Sequence, residues 1–176
     1  MRHFVYSVLT TASISMSACS TSKTSDEGNG TPVSFDGTAA NFDGTWVGLC
    51  KYIDIETSRS FDGDSEVIVK QAAANIEVRG ACYSKKPLGQ YFLTKLLTIA
   101  GNDLLDSDTQ KVVGRIGSNA LTFRRSAVAG GNAIVSNLEM KQKSASELDF
   151  EFLQDATSTE PPSTTRLSTM TGSAKK

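Results

Sequence analysis

The sequence predicts an all-β fold, an antiparallel up-and-down β-barrel of eight to ten strands behind a disordered N-terminal tether. Three observations carry this. From residue 44 onward apolar and polar residues alternate in run after run, the period of a strand with one buried face. Glycine with asparagine or aspartate separates the runs, at 62–64, 101–103, 117–119 and 130–132, and such clusters supply the left-handed backbone of tight hairpin turns. No stretch keeps a helical apolar period long enough for a stable helix.

The chain opens MRHFVYSVLTTASISMSACS. Arg2 precedes a moderately apolar run from Phe4 to Ile14, and small residues follow before Cys19. Residues 1–18 therefore read as a secretory signal peptide, too short and too rich in Ser and Thr to span a bilayer as a helix. Residues 19–42 are polar and rich in Gly, Ser and Thr, the composition of a flexible tether. The triplet FDG occurs at 35–37, 42–44 and 61–63; its unequal spacing excludes a solenoid repeat, and Phe35 and Phe42 are placed to dock part of the tether onto the domain. The barrel domain is assigned to residues 43–172 and a tail to 173–176.

Strands are expected near 45–53, 65–71, 74–82, 90–100, 103–106, 111–117, 120–128, 133–143, 146–154 and 164–171. On the first, Trp46, Gly48, Cys50 and Tyr52 share one face. Ile76 and Val78 alternate with Glu77 and Arg79, and Leu148, Phe150 and Phe152 with Asp149 and Glu151. In 90–100, Tyr91, Leu93, Leu97 and Ile99 form the apolar side, and Lys95 falls in register with them. The alanines at 72–74 are too few to nucleate a helix and read as a hairpin connection. Residues 157–163, with two prolines, read as a loop. Short links make sequence neighbours antiparallel neighbours, and a meander of one-sided strands favours closure over a Greek-key sandwich.

Removing residues 1–18 takes one arginine from the 18 basic side chains and none from the 19 acidic ones, leaving a net charge of −2. That balance offers no footprint for nucleic acid. It also removes His3, the sole histidine, and with it Ser-His or Cys-His nucleophile pairs and histidine metal ligands. Cys50 and Cys82 remain in an oxidising compartment, where an even pair forms a disulfide; the other reading is two buried thiols. No cofactor motif is present.

Met16-Ser17-Ala18-Cys19 resembles a bacterial lipobox, with Met16 where leucine is commonest. The resemblance implies acylation of Cys19, a membrane partnership through that anchor, and, with Ser20 following, residence in the outer membrane of a bacterial envelope. Gly44-Thr45-Trp46 resembles the G-x-W start of the lipocalins, whose tryptophan closes the floor of a cup around a small apolar ligand. Arg166 is a loose candidate for the arginine that lipocalins set against that tryptophan, and no T-D-Y motif is found. The spacing of Trp46, Cys50 and Cys82 is similar to that of bacterial lipoproteins of unassigned function.

Other constellations read as ordinary surface. Asp62, Asp64 and Glu66, and then Asn102, Asp103, Asp106 and Asp108, lack the spacing of a calcium loop and read as solvated hairpin ends. Ser20 and Lys23 give the S-x-x-K spacing of some acyl-enzymes, but in the tether, not a cleft. Two functional expectations follow. In the first, a non-catalytic lipocalin-like barrel binds a small apolar or amphipathic ligand over Trp46, with Lys95 or small inward residues such as Gly80, Gly114 and Ser136 lining the cavity. In the second, the barrel is filled and an envelope lipoprotein acts through its outer face on a protein partner of unknown identity.

Overall fold

The computed structural model describes residues 39–85, 88–94, 96–129, 132–159 and 162–176. The expected signal peptide, the lipidation site Cys19 and the ligand candidate Lys95 lie outside these residues.

Eleven strands form one antiparallel sheet. They are β1 (Gly44–Asp54), β2 (Arg59–Gln71), β3 (Asn75–Lys85), β4 (Leu88–Leu93), β5 (Leu97–Ala100), β6 (Asp103–Asp106), β7 (Val112–Ile116), β8 (Ala120–Ala129), β9 (Asn132–Ser144), β10 (Glu147–Thr159) and β11 (Pro162–Lys175). Sequence neighbours pair except β4 and β5, and β1 pairs with both β2 and β11, so the sheet returns on itself as a ring. The junction at β3 is compound. Its first residues, Asn75 and Ile76, pair with β5, whereas Arg79 to Lys85 pair with β4. Gly44 and the β2–β3 and β7–β8 turns mark the lower end of the ring; the β1–β2 turn and the paired ends Ala129 and Asn132 of β8 and β9 mark the upper.

The expected strand 90–100 is two strands. Thr94 ends β4 by donating its N–H to the Val78 carbonyl and accepting the Val78 N–H on Oγ1, both at 2.8 Å. The side-chain alternation reverses across this break: Phe92 is buried and Tyr91 exposed, then Leu97 is buried. Tyr91 thus leaves the apolar face that it was expected to share with Leu97.

Four other boundaries move. β2 begins at Arg59, so Asp62-Gly63-Asp64 lies inside a strand and not at a turn. The β10 and β11 strands pair as far as Thr159 and Pro162, so both run into the expected loop at 157–163. The expected tail is strand: Ala174 pairs with Gly48 and Leu148 and is buried. At the other end Phe42, expected in the tether, is fully buried. Its N–H donates to Gln71 Oε1 at 2.8 Å, Gln71 Nε2 donates to the Ala40 carbonyl at 2.9 Å, and the Ala40 N–H donates to Gly117 at 2.7 Å.

The core lies inside the ring. Trp46, Phe42, Ile76, Leu97, Leu104 and Leu121 are among its largest side chains with no more than 1 % of their surface exposed. The outward face of β9, β10 and β11 carries ion pairs between Lys141 and Glu139 (3.0 Å), Lys143 and Asp149 (2.7 Å) and Lys175 and Glu147 (2.7 Å), whereas that of β1 exposes Val47, Leu49 and Ile53.

Candidate functional site

Trp46 sits at the lower end of the ring, where the alternation of β1 turns it inward with Cys50. Its Nε1–H donates to the Phe42 carbonyl at 2.9 Å, so the segment before β1 folds back over the indole and is held there. The Lys176 ammonium lies 5.4 Å from the ring centroid, a cation–π contact at the end of β11. Arg166, the sequence candidate for a cation against this tryptophan, is instead near the opposite end of β11 and pairs with Asp155. Phe42, the indole and the neighbouring aliphatic side chains leave Trp46 with no exposed surface.

Cys50 and Cys82 form a disulfide, with Cα atoms 5.8 Å apart across a sequence separation of 32. They belong to β1 and β3, which are not neighbours. Two strand spacings in a flat sheet are about 9.6 Å, so the sheet is tightly curled where β2 passes between them. The register shows what lies beneath the bridge: Cys50 is opposite Gly63, and Cys82 is opposite Ser65. A Cβ on Gly63 would come 1.9 Å from the Tyr83 carbonyl oxygen, which only a glycine avoids. Ser65 is the small inward residue that follows. Its Oγ is buried and finds no hydrogen-bond partner among the described residues.

Two of the inward positions expected to hollow the barrel, Gly80 and Gly114, are occupied. Gly80 is opposite Phe92, whose ring lies where a Gly80 Cβ would stand, 2.0 Å from its Cζ. Phe92 stacks on Phe152 at a centroid separation of 5.0 Å and leans on Phe150 at 6.1 Å. At Gly114 the β8 backbone closes in, with the Thr122 carbonyl oxygen 2.1 Å from an added Cβ.

One cleft of about 190 Å³ opens through the upper wall, between β4 and β8. Phe92, Phe123 and Phe152 line it, with Arg125, Ser136 and Gln154 among its polar groups. Gln154 is held by Ser168, whose hydroxyl donates to Oε1 at 3.2 Å. Sequence reasoning placed Ser136 inward but missed Arg125, since a charged residue in an alternating run carries no sign that its strand lacks a second neighbour. A wider groove of about 840 Å³ lies on the outside of β1, where Leu49 stands exposed between Asp64 and Ser173.

The acidic clusters have structural partners. Asp106 Oδ1 accepts the N–H groups of Asp108 and Thr109 at 3.0 and 2.9 Å and so shapes the β6–β7 turn. Asp103 pairs with Arg115 at 3.4 Å, and Glu66 accepts from the Tyr83 hydroxyl at 3.3 Å. Burial pushes the Tyr83 phenol up, and the Glu66 charge adds to the shift; burial also raises Tyr52. Asp54 accepts the Thr57 N–H at 3.0 Å, which holds its carboxyl below the usual range. Among the described residues no three His, Cys, Asp or Glu side chains gather as a metal site.

Compared with known proteins, the chain matches no family model, no curated protein and no solved structure, so it stands as an all-β antiparallel domain of unknown family.

Proposed function

We propose that the ring is an up-and-down, lipocalin-like barrel that has been filled, and that it serves as a lipid-anchored, non-catalytic interaction module of a bacterial envelope. The second of the two expectations is thereby preferred over the first. The observation that supports it is the fully buried indole of Trp46, covered by Phe42 and backed by side chains where a cup would be empty. The upper cleft, at about 190 Å³, is below the roughly 300 Å³ at which small-molecule pockets begin.

Polarity supports a water-facing wall. The inward face is apolar and the outward face carries ion pairs, the reverse of a membrane-spanning barrel, whose outer band faces lipid. Anchorage then falls to Cys19, and the mature sequence, without histidine, offers no Ser-His or Cys-His pair for catalysis.

Two measurements test this. Native mass spectrometry of the purified mature chain should find no co-purified small molecule beyond the acyl anchor. Trp46 emission should be unmoved by fatty acids and related apolar compounds. A saturable shift of that emission overturns the filled-barrel reading. The Cys19→Ala variant should move from the membrane to the soluble periplasmic fraction, and retention at the membrane overturns the anchor.

A further inference from the structure

The upper half of β8 is a sheet edge. Residues Ala120 to Ala129 all pair with β9, but on the other side β7 reaches only Phe123. Hydrogen-bond alternation shows which groups are left. The Ala120 carbonyl accepts from Gly117 on the β7 side, and the Asn119 carbonyl accepts from Gln142 on the β9 side. The β8–β9 register runs without a shift, so the N–H and C=O of Arg124, Ser126 and Val128 all point away from β9. No described strand pairs with them.

Natural edges are usually blunted by proline, a bulge or a covering element. Among the described residues this one has none of these within Arg124 to Ala129, only the charges of Arg124 and Arg125. Val128 is 81 % exposed, and across the cleft the β4 side chain of Leu88 is 68 % exposed. Behind the edge lies the cleft of about 190 Å³, on the order of one aromatic side chain in size and walled by Phe92, Phe123 and Phe152. Arg125 lines it, Arg124 stands on the opposite face of β8, and neither is in an ion pair among the described residues. In contrast, Arg79, Arg115, Arg166, Lys141, Lys143 and Lys175 are all in ion pairs.

We propose that this edge binds an extended segment of a partner protein by strand addition, the partner inserting one large apolar side chain into the cleft and presenting a carboxylate to Arg125. The proposal rests on the interaction-module reading and names its partner class. Backbone hydrogen bonds to Arg124, Ser126 and Val128 supply the register, and the aromatic cleft and Arg125 select alternate side chains of the incoming strand. The two arginines, left without acids of their own, favour an acidic segment over a basic one.

The test uses the full mature chain and a fluorescein-labelled nine-residue peptide. Threonine occupies alternate positions of this peptide, and its other face carries valine, phenylalanine, glutamate and valine in that order. Fluorescence anisotropy should show saturable binding. Ser126→Pro deletes an N–H that the β8–β9 ladder does not use, and should weaken binding at least ten-fold with the melting temperature little changed. Arg125→Glu should weaken binding of this peptide and favour one with lysine in place of glutamate, a swap that a merely structural arginine does not produce. Absence of saturable binding, or equal binding by Ser126→Pro, overturns the proposal. A dimer that Ser126→Pro disrupts, with no peptide bound, gives the edge to a second copy and overturns the partner assignment. If the peptide fails while Trp46 stays blind to apolar compounds, the edge assignment alone falls; if those compounds shift Trp46, the filled barrel falls first.

Discussion

Reducing the Cys50–Cys82 bridge should cost most of what holds the curl at β2. For a separation of 32 residues, the chain-entropy relation gives about 12 cal/mol/K, or about 3.7 kcal/mol at 25 °C. Reduction leaves both sulfurs in place, so this figure isolates the cross-link. Replacing both cysteines by alanine also empties two buried sulfur positions; at about 24 cal/mol per Å3 of void, that adds on the order of 1 kcal/mol. Urea unfolding at equilibrium separates the two, on protein reduced in denaturant and refolded with reductant, and on the double-alanine variant. With an m-value of about 2 kcal/mol/M, the midpoint should fall by about 1.8 M on reduction and by a further 0.5 M or so in the variant. A drop of less than about 0.5 M on reduction would refute the reasoning, because the bridge would then constrain almost nothing that the ring does not already fix. Equal midpoints for the reduced protein and the alanine pair would refute the claim that the sulfurs are packed over Gly63 and Ser65.

Ser65→Ala should stabilise the domain by about 1 kcal/mol, since it removes a buried hydroxyl without a partner; a loss of stability in thermal unfolding would show that the hydroxyl is bonded. Gly80→Ala should destabilise by about 1–3 kcal/mol because its Cβ meets the Phe92 ring, and adding Phe92→Leu should recover part of the loss; additive effects would contradict that contact. The pH profile should have two shallow shoulders. Asp54 and Glu147 are held below their ordinary values of 3.8 and 4.5 by hydrogen bonds from Thr57 and Lys175, so their contribution is complete above those values and is lost as pH falls through the depressed ones. Lys175 is raised above 10.5 by Glu147, so its contribution is complete below 10.5 and is lost on further alkalinisation. All three groups are exposed and the shoulders small; Glu147→Gln should remove the alkaline one, and its persistence in a pH series of melts would exclude the Glu147–Lys175 pair as its source.

The side-chain faces were legible wherever burial alone sets them. Ile76 and Val78 against Glu77 and Arg79, and Leu148 and Phe150 against Asp149 and Glu151, fall as a period of two requires. The disulfide was legible too, from an even pair of cysteines behind an expected secretory leader. What escaped were features set by partners distant in sequence. Thr94 breaks a strand because its hydroxyl meets Val78, sixteen positions away, and local composition carries no trace of that. Gly63 reads as a turn residue between two aspartates, yet it is a strand residue chosen to lie under a bridge between other strands. Phe42 docks on the domain as its triplet suggested, and what escaped was the Gln71 network that holds it, by which the tether ends earlier than its polarity suggests.

The same distance effects explain why the proposed place for interaction is the rim of the wall and not its interior. At the lower end β5, β6 and β7 are strands of four or five residues that complete the ring beneath the β3–β4 junction. β8 to β11 are ten to fourteen residues long and rise past them. A ring built from short and long strands cannot be closed at every height, and the shortfall opens the notch between β4 and β8. In a hollow barrel such a notch would flood the core and forfeit apolar burial of about 25 cal/mol per Å2 wetted. Here Phe92 reaches across from β4 to stack on Phe152 behind the notch, so the core is sealed one layer in. The edge of β8 is thus left bare on a packed, disulfide-tied support. If that reasoning holds, Phe92→Ala should lower stability by about 3–5 kcal/mol and enlarge the cleft, and Trp46 should remain dark to apolar probes because the layer around it is separately closed by Phe42.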